Sequence, residues 1–337
     1  MSVPRRQKAA RPALIRRVGV LLALAMASGV AAEAPPRFAL PLDCELGESC
    51  YIQNYPDTLP AKDRAADYAC GPLTYDTHKG TDFALPSLRA MQAGVNVRAA
   101  LAGTVLGTRD EMPDTGLDRS NPEAIAGREC GNGVVIDHGA GWVSQYCHMK
   151  RGSISVRKGD TVETGALLGE IGLSGRTEFA HLHFAVRHNG KTVDPFDPFG
   201  TARCAAAEAT LWQETPPYAP GGILSAGFST RVPGMGEIKA GDSHSETLPK
   251  AAPALVLWGY MFGVKEADTV RLRFTGPEGF EFEHSVRLER TQAQAFRAAG
   301  KRRPQSGWPA GVYDGVIELR RDGKTLAQAT TRVKITP

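Results

Sequence analysis

The chain has 337 residues, 42% hydrophobic and 7% aromatic, with 40 Lys+Arg against 36 Asp+Glu for a formal charge of +4. That balance excludes a wholly disordered, collagen-like or coiled-coil protein. At about 100–200 residues per domain, the length points to two domains, each able to bury a core.

Residues 1–32 read as a secretory signal peptide. Arg5, Arg6, Lys8, Arg11, Arg16 and Arg17 form a basic stretch without an acid, Val18 to Ala27 is apolar apart from Gly19, and Val30 and Ala32 are the small residues around a cut after Ala32. The apolar run is shorter than the roughly 18 residues that span a bilayer, so cleavage is expected, with no membrane span after it. Removal of this segment takes six basic residues and no acid, leaving 34 basic against 36 acidic residues, net −2. The remaining basic run, Lys301-Arg302-Arg303, stands beside Pro304 in a loop context, and nothing calls for nucleic acid. The expected location is the periplasm or the exterior.

Cysteine usage agrees with export. Cys44, Cys50, Cys70, Cys130, Cys147 and Cys204 all precede residue 205, and an even count in an exported chain reads as disulfides. Cys44 and Cys50 are the easiest pair to propose; Cys70–Cys130 and Cys147–Cys204 are the working assignment for the rest. No C-x-x-C occurs, which weighs against thiolate ligation of zinc.

Residues 33–70, with Pro35, Pro36, Pro41, Pro56 and Pro60, read as a loop-rich lead-in. From 71 to 204 short β-runs alternate with glycine: Val95–Ala99, Gly103–Leu106, Gly133–Asp137, Trp142–Cys147, Leu167–Ile171, and His183–Arg187 before an Asn189-Gly190 turn. Strands this short, with turn signals this frequent, predict an antiparallel all-β domain. The polar stretch from Asp110 to Gly131 interrupts two strands as a long insertion. Residues 205–250, rich in Ala, Pro and Gly, read as a linker with one strand or turn. Over 251–337, runs at Leu255–Tyr260, Thr269–Phe274, Phe280–Leu288, Gly311–Leu319 and Thr330–Ile335 predict a small β-sandwich, with the immunoglobulin topology as a candidate. No catalytic cluster falls there.

The chemistry gathers in the first domain. His78 and Asp82 are four apart around Gly80, entering a β-like run. In Phe179-Ala180-His181-Leu182-His183-Phe184, strand periodicity turns His181 and His183 to one side and Leu182 and Phe184 to the other. His148 ends an apolar strand in Gln145-Tyr146-Cys147-His148-Met149. Each pattern alone is weak. Together they supply imidazoles and a carboxylate in one small domain, the donor types of a catalytic zinc site, which takes three protein ligands and keeps one position open. His138 and His188 read as turn residues, and His244 and His284 have no partners nearby in sequence.

His78-Lys79-Gly80-Thr81-Asp82 and His181-Leu182-His183, with Gly131-Asn132-Gly133-Val134-Val135-Ile136-Asp137-His138-Gly139 and Tyr146-Cys147-His148-Met149 between them, resemble the M23 family of zinc metallopeptidases, the lysostaphin-like peptidoglycan endopeptidases. Val156-Arg157-Lys158-Gly159-Asp160 and Gly172-Leu173-Ser174-Gly175 continue the match, which covers roughly residues 70–200. The resemblance implies that His78, Asp82 and His183 bind Zn²⁺ and that His148 and His181 are the catalytic histidines. It implies an open antiparallel β-groove and, as substrate, the peptide cross-links of bacterial peptidoglycan. Cys147 beside His148 and the long insertion at 108–130 depart from the family pattern. The alternative is a non-catalytic cell-wall or amidase-activating binding protein of the same fold, expected to lack the ligands that are present here. The C-terminal domain has no assigned task; a protein partner is one use for it.

Overall fold

The computed structural model describes residues 1–4, 9 and 34–337, except 60, 119–121, 203, 205, 206 and 208. The signal-peptide reading of 1–32 therefore falls, but for residues 1–4 and 9, outside the described residues. Among the described residues no helix is long and apolar enough to cross a membrane.

Short alternating runs become strands, each burying one face. In chain order these are β1 (Tyr51–Asn54), β2 (Thr81–Ala84), a one-and-a-half-turn helix α1 (Leu88–Ala93), β3 (Asn96–Arg98), β4 (Gly103–Arg109), β5 (Asn132–Gly139), β6 (Trp142–Met149), β7 (Thr161–Val162), β8 (Leu167–Glu170), β9 (His181–His188) and β10 (Lys191–Val193). They build one sheet in the order β1-β2-β9-β6-β5-β4-β7, with β10 also on β9, and a separate β3-β8 pair; all pairings are antiparallel. Leu182, Phe184 and Val186 of β9 point into a core shared with Phe38, Phe83, Tyr146, Phe196 and Trp212. The period-2 alternation of β9 thus leaves His181 and His183 on the opposite face.

A second group of strands follows: β11 (Gly222–Ser229), the short helix α2 (Met235–Ala240), β12 (Thr247–Pro249), β13 (Ala254–Val264), β14 (Thr269–Thr275), β15 (Glu281–Arg287), β16 (Gln292–Arg302), β17 (Gly311–Arg321) and β18 (Lys324–Thr336). They form the sheets β11-β13-β16 and β12-β18-β17-β14-β15, with β12 parallel to β18. Phe228, Leu257 and Ala295 from the first sheet share a core with Leu272, Ile317 and Val333 from the second.

Four expectations are corrected or extended here. The stretch 205–250 is not simply a linker, since it supplies β11, α2 and β12. The one strand or turn expected there becomes two strands and a helix, and in β11 a Cβ on Gly227 would stand 2.6 Å from Cζ2 of Trp258, so close packing requires the absence of a side chain. The lead-in also carries a strand, β1. The disulfides are Cys44–Cys50, Cys70–Cys204 and Cys130–Cys147, so the working pairings Cys70–Cys130 and Cys147–Cys204 are overturned. Cys130 and Cys147 meet because the insertion leads straight into β5, the neighbour of β6. The strand β16 was not anticipated either, its apolar residues being four alanines and one phenylalanine, and it takes in Lys301 and Arg302, which were expected in a loop.

Candidate active site

The central strand pair sets the geometry. In the β2–β9 register Asp82 lies opposite His183, and in the β1–β2 register it lies opposite Asn54. Asp82 is 2% exposed. Its Oδ1 is 2.8 Å from His183 Nδ1, 3.1 Å from His78 Nε2 and 3.4 Å from His181 Nε2. Its Oδ2 accepts a hydrogen bond from Asn54 Nδ2 at 2.8 Å. His78 precedes β2 in a turn, where Nδ1 donates to the Tyr55 carbonyl at 2.8 Å and Nε2 comes within 3.3 Å of His183 Nδ1. Gly80 allows this approach: a Cβ there would sit 2.6 Å from His183 Nε2 and 2.7 Å from the Phe184 carbonyl.

His148 reaches the same face by a different device. Between Asn132↔Met149 and Val134↔Tyr146, two residues of β6 oppose one of β5, a bulge that re-aims the side chain. Its backbone has φ 64°, the left-handed region that L-residues seldom adopt. The bend is held by the His148 N–H on the Cys130 carbonyl at 2.8 Å and by the Gly172 N–H on the His148 carbonyl at 3.0 Å. His148 Nδ1 donates to the Ser174 carbonyl at 2.8 Å, and His181 Nδ1 donates to the Phe179 carbonyl at 2.9 Å. Both rings are therefore turned so that Nε2 is the nitrogen left free of a carbonyl, and their centroids are 4.6 Å apart.

The electrostatics follow from burial and from one carboxylate among four rings. Burial opposes the charge on Asp82, but His78 and His181 outweigh it and hold the carboxyl well below the usual range. Burial pushes His148 well down, helped by His181 and His183, and it also lowers His183. Burial lowers His78 as well, but the adjacent Asp82 outweighs it and leaves that ring raised. Among the described residues, His78, Asp82 and His183 form a group whose donor atoms all lie within 4.8 Å of one another. Two imidazoles and an ionised carboxylate fit a divalent transition metal with nitrogen and oxygen preference.

The histidines read as bystanders stay away from this group. His138 bridges the Ala102 carbonyl and Ser144 Oγ, each at 2.8 Å, and His188 stacks on Trp142. His244 Nδ1 accepts from the Phe228 N–H. The long insertion folds against the loop that leads to β9: the Gly116 N–H bonds the Leu173 carbonyl, and the Leu117 N–H bonds the Thr177 carbonyl. Asp114 accepts the N–H groups of Arg151 and Leu173, both at 2.9 Å. Sequence reasoning missed Asn54, because a single Asn at the end of a short run carries no pattern.

Residues 76–195 match the family model described as Peptidase family M23. This segment belongs to that family. The chain is similar to peptidoglycan DD-endopeptidase ShyA of Vibrio cholerae, 33% identical over 117 residues, which are 35% of this chain and 22% of that protein. It is also similar to a lipoprotein NlpD/LppB homolog of Pseudomonas aeruginosa, 37% identical over 106 residues, 32% of this chain and 30% of that protein. A third relative is the DD-carboxypeptidase/endopeptidase Mpg of Neisseria meningitidis, 30% identical over 124 residues, 36% of this chain and 23% of that protein. The chain thus spans less than a third of the length of each of these three relatives.

Proposed function

We propose that this chain is an exported zinc metalloendopeptidase that hydrolyses peptide bonds in the cross-links of bacterial peptidoglycan. The observation that carries the reading is the pair His148 and His181 beside the three-donor group. A site that only stored a metal needs no second pair of buried imidazoles with Nε2 free of carbonyl partners. The same observation favours an enzyme over a non-catalytic binding protein of this fold.

His78, Asp82 and His183 are the residues that would hold Zn²⁺. When bound, Zn²⁺ brings the pKa of a coordinated water to about 7 and polarises a carbonyl. The chain supplies the rest. At Nε2, one of His148 and His181 accepts a proton from the attacking water and returns it to the leaving amine. The other, in its doubly protonated form, donates from Nε2 to the oxygen that gains charge, an interaction whose loss costs roughly 10²–10³ in kcat in comparable sites. Their Nδ1 bonds to the Ser174 and Phe179 carbonyls fix ring orientation and tautomer. Ser174 and Phe179 lie in the loop clasped by the insertion, so the insertion would influence cleft shape as well.

Pairing of all six cysteines fits an oxidising compartment. Together with the expected signal peptide this supports the periplasm or the cell exterior. We keep a peptidase domain ending near residue 204, and assign β11 through β18 to one second domain. Reading β11 and β12 as the two halves of a split first strand, the orders β11-β13-β16 and β12-β18-β17-β14-β15 follow the immunoglobulin scheme. Such a sandwich suits a protein partner.

The test is incubation of the mature protein with whole peptidoglycan sacculi, with and without a chelator, followed by mass analysis of the soluble fragments. Release of peptide-cleaved fragments that the chelator abolishes and added Zn²⁺ restores is the expected result. Absence of any chelator-sensitive release would overturn the reading in favour of a binding protein.

A further inference from the structure

Asp82 has one carboxylate oxygen turned to three imidazoles and the other to an amide. Asn54 Nδ2 donates to Oδ2 at 2.8 Å, while Oδ1 faces His183, His78 and His181. A buried carboxylate with one oxygen tied down presents the other as a single donor in a fixed direction. Asn54 occupies this place because of an irregularity in β1. Ile52 pairs with Phe83 and Asn54 with Asp82, so two steps along β1 match one step along β2 and Gln53 is the extra residue.

Gln53 is 1% exposed, yet it is fully engaged across a boundary. Its Nε2 donates to the Ala293 carbonyl of β16 at 3.2 Å, and its Oε1 accepts from Gln294 Nε2 at 3.1 Å. Gln294 Nε2 also donates to the Tyr51 hydroxyl at 3.1 Å. Strand β1 is the edge of the large sheet and β16 the edge of the three-stranded sheet, so this amide cluster joins the two edges. A bulge next to a functional group commonly serves to re-aim side chains. Here neighbouring residues face two tasks: Gln53 grips the C-terminal sheet and Asn54 grips Asp82.

We propose that Asn54 is a positioning residue for Asp82, and that the Gln53–Gln294 clasp couples its placement, and so the metal affinity of the site, to the C-terminal sheet. The proposal rests on the reading of His78, Asp82 and His183 as zinc ligands. It gives the second domain a role at the site that is separate from any partner binding.

The experiment measures Zn²⁺ dissociation constants for the full mature chain by competition with a chromophoric chelator. Visible spectra of the Co²⁺-loaded proteins report ligand geometry independently of activity. Asn54→Ala is expected to weaken Zn²⁺ binding by about 10–100-fold, the range for loss of an outer hydrogen-bond partner, and to shift the Co²⁺ bands. Gln294→Ala, at a half-exposed edge position, is expected to weaken binding in the same direction by a smaller factor. Wild-type affinity and spectrum in a folded Asn54→Ala protein would overturn the positioning role, and wild-type affinity in Gln294→Ala would overturn the coupling. If Asn54→Ala does not fold, Gln294→Ala decides the question alone, unchanged affinity counting against the proposal. A wild-type chain that binds no Zn²⁺ would instead sink the zinc reading itself, which keeps the two failures apart.

Discussion

Replacing Cys130 and Cys147 together by serine separates what a disulfide does for stability from what it does for the site. The bridge spans 17 residues, whereas Cys70–Cys204 spans 134. Chain-entropy arithmetic assigns about 3 kcal/mol to the shorter loop and about 5 kcal/mol to the longer. Geometry predicts the reverse order for activity. The Cys130 carbonyl accepts the His148 N–H at 2.8 Å, and Cys147 is the residue before His148 in the β6 bulge. Loss of the short bridge therefore frees the backbone that bends at φ 64° to aim His148. A misplacement of about 1 Å costs on the order of 10²-fold in rate. The assay pairs urea denaturation with fragment release from sacculi, at a temperature where each variant is folded. The short-bridge variant should lose less stability and more kcat than the Cys70→Ser/Cys204→Ser variant. A short-bridge variant whose kcat stays within twofold of wild type, despite the expected loss of stability, would refute the argument that this bridge positions His148.

Two further outcomes are expected. His148→Ala should abolish turnover of peptidoglycan while metal analysis still finds close to one Zn²⁺ per chain; loss of the metal in that variant would contradict the division between ligands and proton carriers. Asp194 is partly buried, its Oδ1 accepts the Phe196 N–H at 2.9 Å, and its enclosed Oδ2 has no hydrogen-bond partner among the described residues. Burial, with Asp197 and Asp67 nearby, pushes this carboxyl up to about 7. The folded chain therefore keeps a proton that the unfolded chain has lost between about pH 4 and pH 7, so stability falls as pH rises through that window and levels off above it. The gap from an ordinary aspartate corresponds to roughly 4 kcal/mol at most. Asp194→Asn should remove that slope, and urea midpoints measured from pH 4.5 to 7.5 would show parallel curves for the two proteins if the reasoning is wrong.

The legible parts of the sequence were those with a period. Alternation in β9 separates His181 and His183 from Leu182 and Phe184, and the structure buries the latter pair in the core. The spacing of His78 and Asp82 around Gly80 likewise lets an imidazole and a carboxylate converge, and the structure brings them to 3.1 Å. What escaped had no local signature. The pairing of Cys130 with Cys147 depends on β5 and β6 being neighbours, a fact of topology. In strand β11, Gly227 lacks a side chain because Trp258 fills the space above it. Asn54 acquires meaning only from the bulge that sets it against Asp82.

The distinction between a metal store and a hydrolase turns on what is left unused around the donors. A structural zinc site closes all four positions with protein ligands, while a catalytic one takes three and leaves the fourth to water or substrate. Here the compact group contains three residues, and the two remaining imidazoles are each tied by Nδ1 to a backbone carbonyl rather than drawn fully into the group. His181 Nε2 stands 3.4 Å from Asp82 Oδ1, longer than the 2.8 Å and 3.1 Å approaches of His183 and His78. His148 reaches the site only through a strained backbone, a conformation that packing alone gives no reason to keep. A fifth polar side chain held there against both strain and burial is what a site proposed to move protons needs, and this supports the proposed hydrolysis over passive binding.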